Sequence, residues 1–103
     1  MFKIKEDEGK WFKYPKATDE EYCLKFMANF QYVNHSAAID AMLVDWKGPV
    51  DSNDKPLECN KTNKILFLST QEGRDRYAWM VSVATDIDQY WNLEEIKKNL
   101  NGS

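Results

Sequence analysis

The chain has 103 residues, a formal net charge of −3 and an aromatic share of 14% that includes four Trp. That length fits a single domain spanning residues 1–103 with one modest core, since folding at this size buries roughly 60–70% of the extended-chain surface. Fourteen Lys and Arg, dispersed among seventeen acids, argue against nucleic acid as a direct partner, and the aromatic share argues against an acidic disordered chain.

The N-terminal third reads as β-structure. Phe2 and Ile4 alternate with Lys3 and Lys5, and Glu6 to Gly9 is a turn signal. Trp11, Phe12 and Tyr14 offer a second strand, ended by Pro15. The clearest strand pattern runs from about Glu21 to Tyr32. Its even positions, from Tyr22 and Leu24 onward, are apolar, while the odd ones, Cys23 among them, are mostly polar. A period of two predicts a sheet with one buried face.

The pattern then turns helical. Asn34 or Ser36 can cap a helix over about Ala37 to Asp45, with Ile39, Met42, Leu43 and Trp46 at helical spacing and Gly48-Pro49 as its stop. Val50 to Cys59 reads as a loop. Asn60 to Leu68 predicts one or two helical turns that bury Ile65, Leu66 and Leu68. Ser69 with Glu72 matches a capping box opening the longest helix, whose stripe of Tyr77, Met80, Ala84, Ile87 and Trp91 steps by three and four. Asn92 with Glu95 opens a last helix over Leu93 to Leu100. The fold class is therefore α+β: a small antiparallel sheet or hairpin over about residues 2–32, packed with three to four C-terminal helices.

No constellation for catalysis emerges. His35 is the single histidine, in a turn, with no nucleophile or metal-ligand spacing around it. Cys23 and Cys59 have no CxxC partner and read as inert free thiols of a reducing compartment. Asp51, Asn53 and Asp54 suggest a calcium loop, but Pro56 and Thr62 stand where that loop needs Gly and Glu. The expectation is a non-enzymatic protein without cofactor, metal or small-molecule substrate. No apolar run approaches the ~20 residues that span a bilayer, and Met1 to Gly9 lacks a signal-peptide core, which predicts a cytosolic protein with no membrane partner.

Apolar surplus points instead to protein binding. Trp79, Val83 and Tyr90 lie beside the helical stripe, and with Trp91 and Ile96 they exceed what one core contact needs. Trp and Tyr are the commonest interface anchors, so these five are the candidate contact residues.

The order of motifs resembles the tail assembly chaperones of bacteriophages with long, non-contractile tails. The resemblance rests on Phe2 to Lys5, on Phe26, Ala28 and Phe30, and above all on Leu43 to Asp51 with Pro56-Leu57 after an acidic turn. Trp46, Gly48, Asp51 and Pro56 form its signature. In this signature segment Trp46 is expected to pack the turn onto the core, and Gly48 to adopt a conformation other residues resist. The resemblance implies a morphogenesis factor of the host cytoplasm, absent from the finished virion. It would bind the tape measure protein in many copies, keep it soluble and help recruit tail tube protein. It also implies a likeness to proteins made in a longer, frameshifted form, and a homo-oligomer. The alternative is a small phage or bacterial inhibitor or adaptor that binds one host protein one-to-one.

Overall fold

The computed structural model describes residues 9–27 and 34–91, without the side chains of residues 87 and 88. Strand β1 (Lys10–Tyr14) turns through Pro15-Lys16 into β2 (Ala17–Leu24). Helix α1 (His35–Met42) runs straight into β3 (Leu43–Lys47). Helices α2 (Lys61–Leu68), α3 (Gln71–Thr85) and the single turn α4 (Ile87–Tyr90) follow. The three strands form one antiparallel sheet in the order β1-β2-β3. The class is α+β, with helices covering one face of the sheet.

Alternation along β2 decides that face. Tyr22 and Leu24 are fully buried, and Trp46 stands opposite Tyr22 in the ladder. They meet Ile39 and Met42 of α1, and Tyr77, Met80, Val83 and Ala84 of α3, in a single core cluster. Each large side chain removed from water there contributes about 1.5–3 kcal/mol, as an upper bound.

Several sequence expectations are corrected. The strand expected over about Glu21 to Tyr32 leaves the ladder after Leu24, just past a bulge between Cys23 and Leu24 in its pairing with β3, and its expected residues 28–32 lie outside the described residues. Beyond it the backbone turns to other acceptors, Lys25 N–H donating to Met42 O (2.9 Å) and Met27 N–H to Ala84 O (2.9 Å). Cys23, expected on a polar face, is buried. The first helix ends at Met42 rather than Asp45, because Leu43 to Lys47 extends to pair with β2; the sheet therefore draws one strand from beyond residue 32.

The helix caps follow local chemistry. The Asn34 side chain accepts from Ala37 N–H (2.8 Å), and Asn60 accepts from Asn63 N–H (2.8 Å). Thr70, not Ser69, caps α3, accepting from Gly73 N–H at 3.0 Å. Gly73 is needed there because a Cβ would fall 1.7 Å from the Phe67 carbonyl oxygen. The helix expected to reach Trp91 breaks at Asp86, whose side chain caps α4 by accepting from Gln89 N–H. The expected strand at residues 2–5 and the expected last helix at residues 93–100, Ile96 included, lie outside the described residues. No helix among the described residues is long and apolar enough to cross a membrane.

Candidate functional site: an apolar cleft between the sheet and the second and third helices

The C-terminal aromatics do not form an open surface. Val83 is 0% exposed, because its side of α3 faces the sheet, and it is withdrawn as a contact residue. Trp79 is half-buried, its ring edge-on to Tyr14 at 5.2 Å and to Tyr22 at 6.1 Å. Tyr90 and Trp91 are also half-buried, both edge-on to Phe12. The Trp91 indole N–H donates to Val83 O at 2.8 Å. A Trp or Tyr with its ring packed and its polar tip bonded is the ordinary state of such residues at a core margin. These rings close the end of the core.

Exposed apolar surface gathers elsewhere. Leu66 is 55% exposed, and Ile65 and Val50 are 47% exposed. Of the three residues α2 was expected to bury, Ile65 and Leu66 are exposed and Leu68 is half-buried against the core, while Lys64 is the buried residue of the helix. Lys64 Nζ lies 3.2 Å from Asp40 Oδ1 and 3.4 Å from Asp40 O, so the ammonium is paired where it is buried.

Leu66 and Val50 flank a cleft of about 350 Å³. One wall is Trp46 of β3 and the segment that follows the strand, with Pro49, Val50 and Leu57; the other is Leu66 and Phe67 of α2. Trp46 joins the walls. Its indole N–H donates to Leu57 O (2.9 Å), and its ring lies 5.3 Å from that of Phe67 at 33°. Leu57 N–H in turn donates to Pro49 O (3.0 Å), and Val50 bridges to Pro56. The loop tip is held by Asp51, whose carboxylate accepts from Asn53 N–H (2.8 Å) and Lys55 N–H (3.0 Å). Asp51 and Pro56 thus shape this wall from behind.

A polar lattice closes one end of the cleft. Arg76 of α3 grips Glu20 of β2 with two bonds, Nε to Oε1 at 2.6 Å and Nη2 to Oε2 at 2.9 Å. Its Nη1 donates to Glu72 O, and the guanidinium lies 4.7 Å from the Tyr14 ring. The Tyr22 hydroxyl donates to Glu20 Oε1 at 2.5 Å. Gly48 makes room for this. Its φ of +128° suits glycine, and a Cβ there would meet Glu20 Cγ at 2.6 Å. The hydrogen bonds from Arg76 hold the Glu20 carboxyl below the usual carboxylate range, against an opposing effect of burial. Burial, then the Glu20 carboxylate, pushes the Tyr22 hydroxyl well above its usual value.

No family model, curated protein or solved structure matches the chain. Among the described residues no group of three or more His, Cys, Asp or Glu could hold a metal ion. His35 is exposed at the start of α1, its Nδ1 3.1 Å from the Tyr77 hydroxyl. Cys59 packs at the core margin, where burial pushes its thiol up to about 11, so it is a poor nucleophile near neutral pH. The cleft can seat apolar side chains of another molecule.

Sequence reasoning missed the α2 wall. A signal was present: Ile65-Leu66-Phe67-Leu68 is four apolar residues in succession. At 100° per residue such a run goes round the helix, and one core cannot cover all of it.

Proposed function

We propose that this protein is a non-enzymatic phage tail morphogenesis factor that binds the tape measure protein, keeps it soluble and helps recruit tail tube subunits. The binding surface is the cleft between β3 and α2, not the C-terminal aromatics. The observation that carries this reading is a coincidence of two features. The segment responsible for the family resemblance, Trp46 to Leu57, is also the segment that builds one wall of the cleft. Long, apolar helices such as a tape measure protein offer side chains at i, i+3 and i+4, and grooves of this kind take helical faces of that pattern. Many copies on one long partner let weak individual contacts act together, which matches the expected homo-oligomer.

Co-expression with the tape measure protein tests this. The wild-type chain is expected to keep the tape measure protein in the soluble fraction. Leu66→Glu and Val50→Asp, both at exposed positions, are expected to lose that effect with their own folding intact. Tape measure protein that is equally soluble with and without the wild-type chain counts against the reading. A discrete one-to-one complex with a host protein, and no effect on the tape measure protein, would favour the inhibitor or adaptor instead.

A further inference from the structure

The cleft is not apolar along its whole length. Its three charged lining residues are Glu20, Glu72 and Arg76, which leave a net charge of −1 at the polar end. The positive charge there is committed within the fold. Arg76 gives two N–H groups to the Glu20 carboxylate and a third to Glu72 O, and its guanidinium lies over the Tyr14 ring. The negative charge is not all spent. Glu72 stands exposed in the first turn of α3, and its carboxylate has no ion-pair partner among the described residues. Glu20 Oε2 accepts one bond, from Arg76, whereas a carboxylate oxygen can accept two. An ammonium or guanidinium entering this end meets acceptors. A carboxylate meets two like charges, and an apolar side chain displaces their water without replacing its hydrogen bonds.

We propose that the segment this cleft takes carries a Lys or Arg beside its apolar side chains, and that Glu72 selects it by pairing with that cation. Glu20 Oε2 supplies a second acceptor. The inference rests on the cleft being the polypeptide-binding site and adds a rule of selection to it. Among apolar helical faces, those flanked by a basic residue bind tightest and those flanked by an acidic one weakest. Because Glu72 is exposed, solvent and salt screen the pair, and its effect on affinity is several-fold.

Three synthetic helical peptides, titrated against the full chain by fluorescence anisotropy, test this. All carry Leu at i, i+3 and i+4. The positions one turn before and one turn after on the same face hold Lys, Gln or Glu, so that either orientation brings the flanking group to the polar end. The expected order of affinity is Lys, then Gln, then Glu, with about tenfold between the extremes at low salt and a narrower spread at high salt. Glu72→Gln is expected to weaken the Lys peptide about three- to fivefold and to leave the Gln peptide unchanged. Glu72→Lys is expected to reverse the order, binding the Glu peptide better than the wild type does. Both variants are expected to keep the wild-type circular dichroism spectrum. Three peptides bound equally, a preference for the Glu peptide, or an order unmoved by Glu72→Lys overturns the proposal. If Leu66→Glu still weakens all three in that case, the cleft stands as the binding site and the selection rule alone falls. A chain that binds none of the peptides overturns the functional reading, and the proposal with it.

Discussion

Trp46→Ala is expected to destabilise the fold by about 3–5 kcal/mol, the usual cost of removing a buried Trp side chain. Three losses combine. The indole leaves a cavity where it is now 6% exposed. Its stacking on Phe67 disappears. The Leu57 carbonyl loses its donor, so the loop from Val50 to Leu57 is released from β3. For a domain of this size the midpoint of thermal unfolding should fall by roughly 15 °C or more. Trp46→Phe separates the contributions, because it keeps a ring but removes the donor. It should cost less, with about 1 kcal/mol of its cost due to the unbonded carbonyl. Thermal and urea unfolding of both variants check this. A Trp46→Ala protein as stable as the wild type would mean that Trp46 does not tie the two walls together.

Arg76→Met is expected to cost about 2–3 kcal/mol at neutral pH, because it leaves Glu20 ionised and poorly solvated. The cost stays below that of a fully buried pair, since the two side chains keep 19% and 16% exposure. The pH dependence has a definite sign. The folded Glu20 carboxyl titrates below its unfolded value, chiefly because Arg76 donates to it. Its contribution is therefore present above the ordinary carboxylate pKa of about 4.3, and is lost as the pH falls through the lower folded value. Without Arg76, burial acts in the opposite direction, so the acid limb of stability should move to higher pH. Adding Glu20→Gln should recover part of the loss, because a neutral amide replaces the stranded charge. At the alkaline end Tyr22 has the opposite sign. Its hydroxyl stays protonated in the fold, so stability should fall above about pH 10, where unfolded tyrosine ionises. Urea unfolding across pH for the wild type and the two variants measures these shifts. An acid limb unmoved by Arg76→Met would contradict the role given to the pair.

Much of the fold is written locally. Trp11, Phe12 and Tyr14 before Pro15 specify β1, and Asn34 specifies the start of α1 through one side-chain bond. The strand β3 is not legible in this way. Leu43 and Trp46 continue the helical spacing of Ile39 and Met42, and the same residues suit a strand equally well. The ladder with Tyr22 and Cys23 decides between the two, and that pairing is long-range. Cys23 looked polar-facing by period alone, but tertiary packing buries it. The Glu20–Arg76 clamp joins residues 56 positions apart, with no local signature. The aromatic surplus of the C-terminal helices was legible as apolar, but not its destination. The fold spends Trp79, Tyr90 and Trp91 on closing its own core. The most exposed apolar side chains include Ile65 and Leu66 of α2, where four successive apolar residues go round the helix and only Phe67 and Leu68 pack against the core.

The most direct measurement is a heteronuclear NMR titration of the labelled full chain with a helical segment of the tape measure protein. Shifts are expected at the Trp46 indole N–H and at the methyl groups of Val50, Leu57 and Leu66, with the Trp79 and Trp91 indoles little changed. Saturable shifts centred on Trp79 and Trp91 that leave the Trp46 to Leu66 set unmoved, or no shifts at all, would contradict the cleft as the binding site.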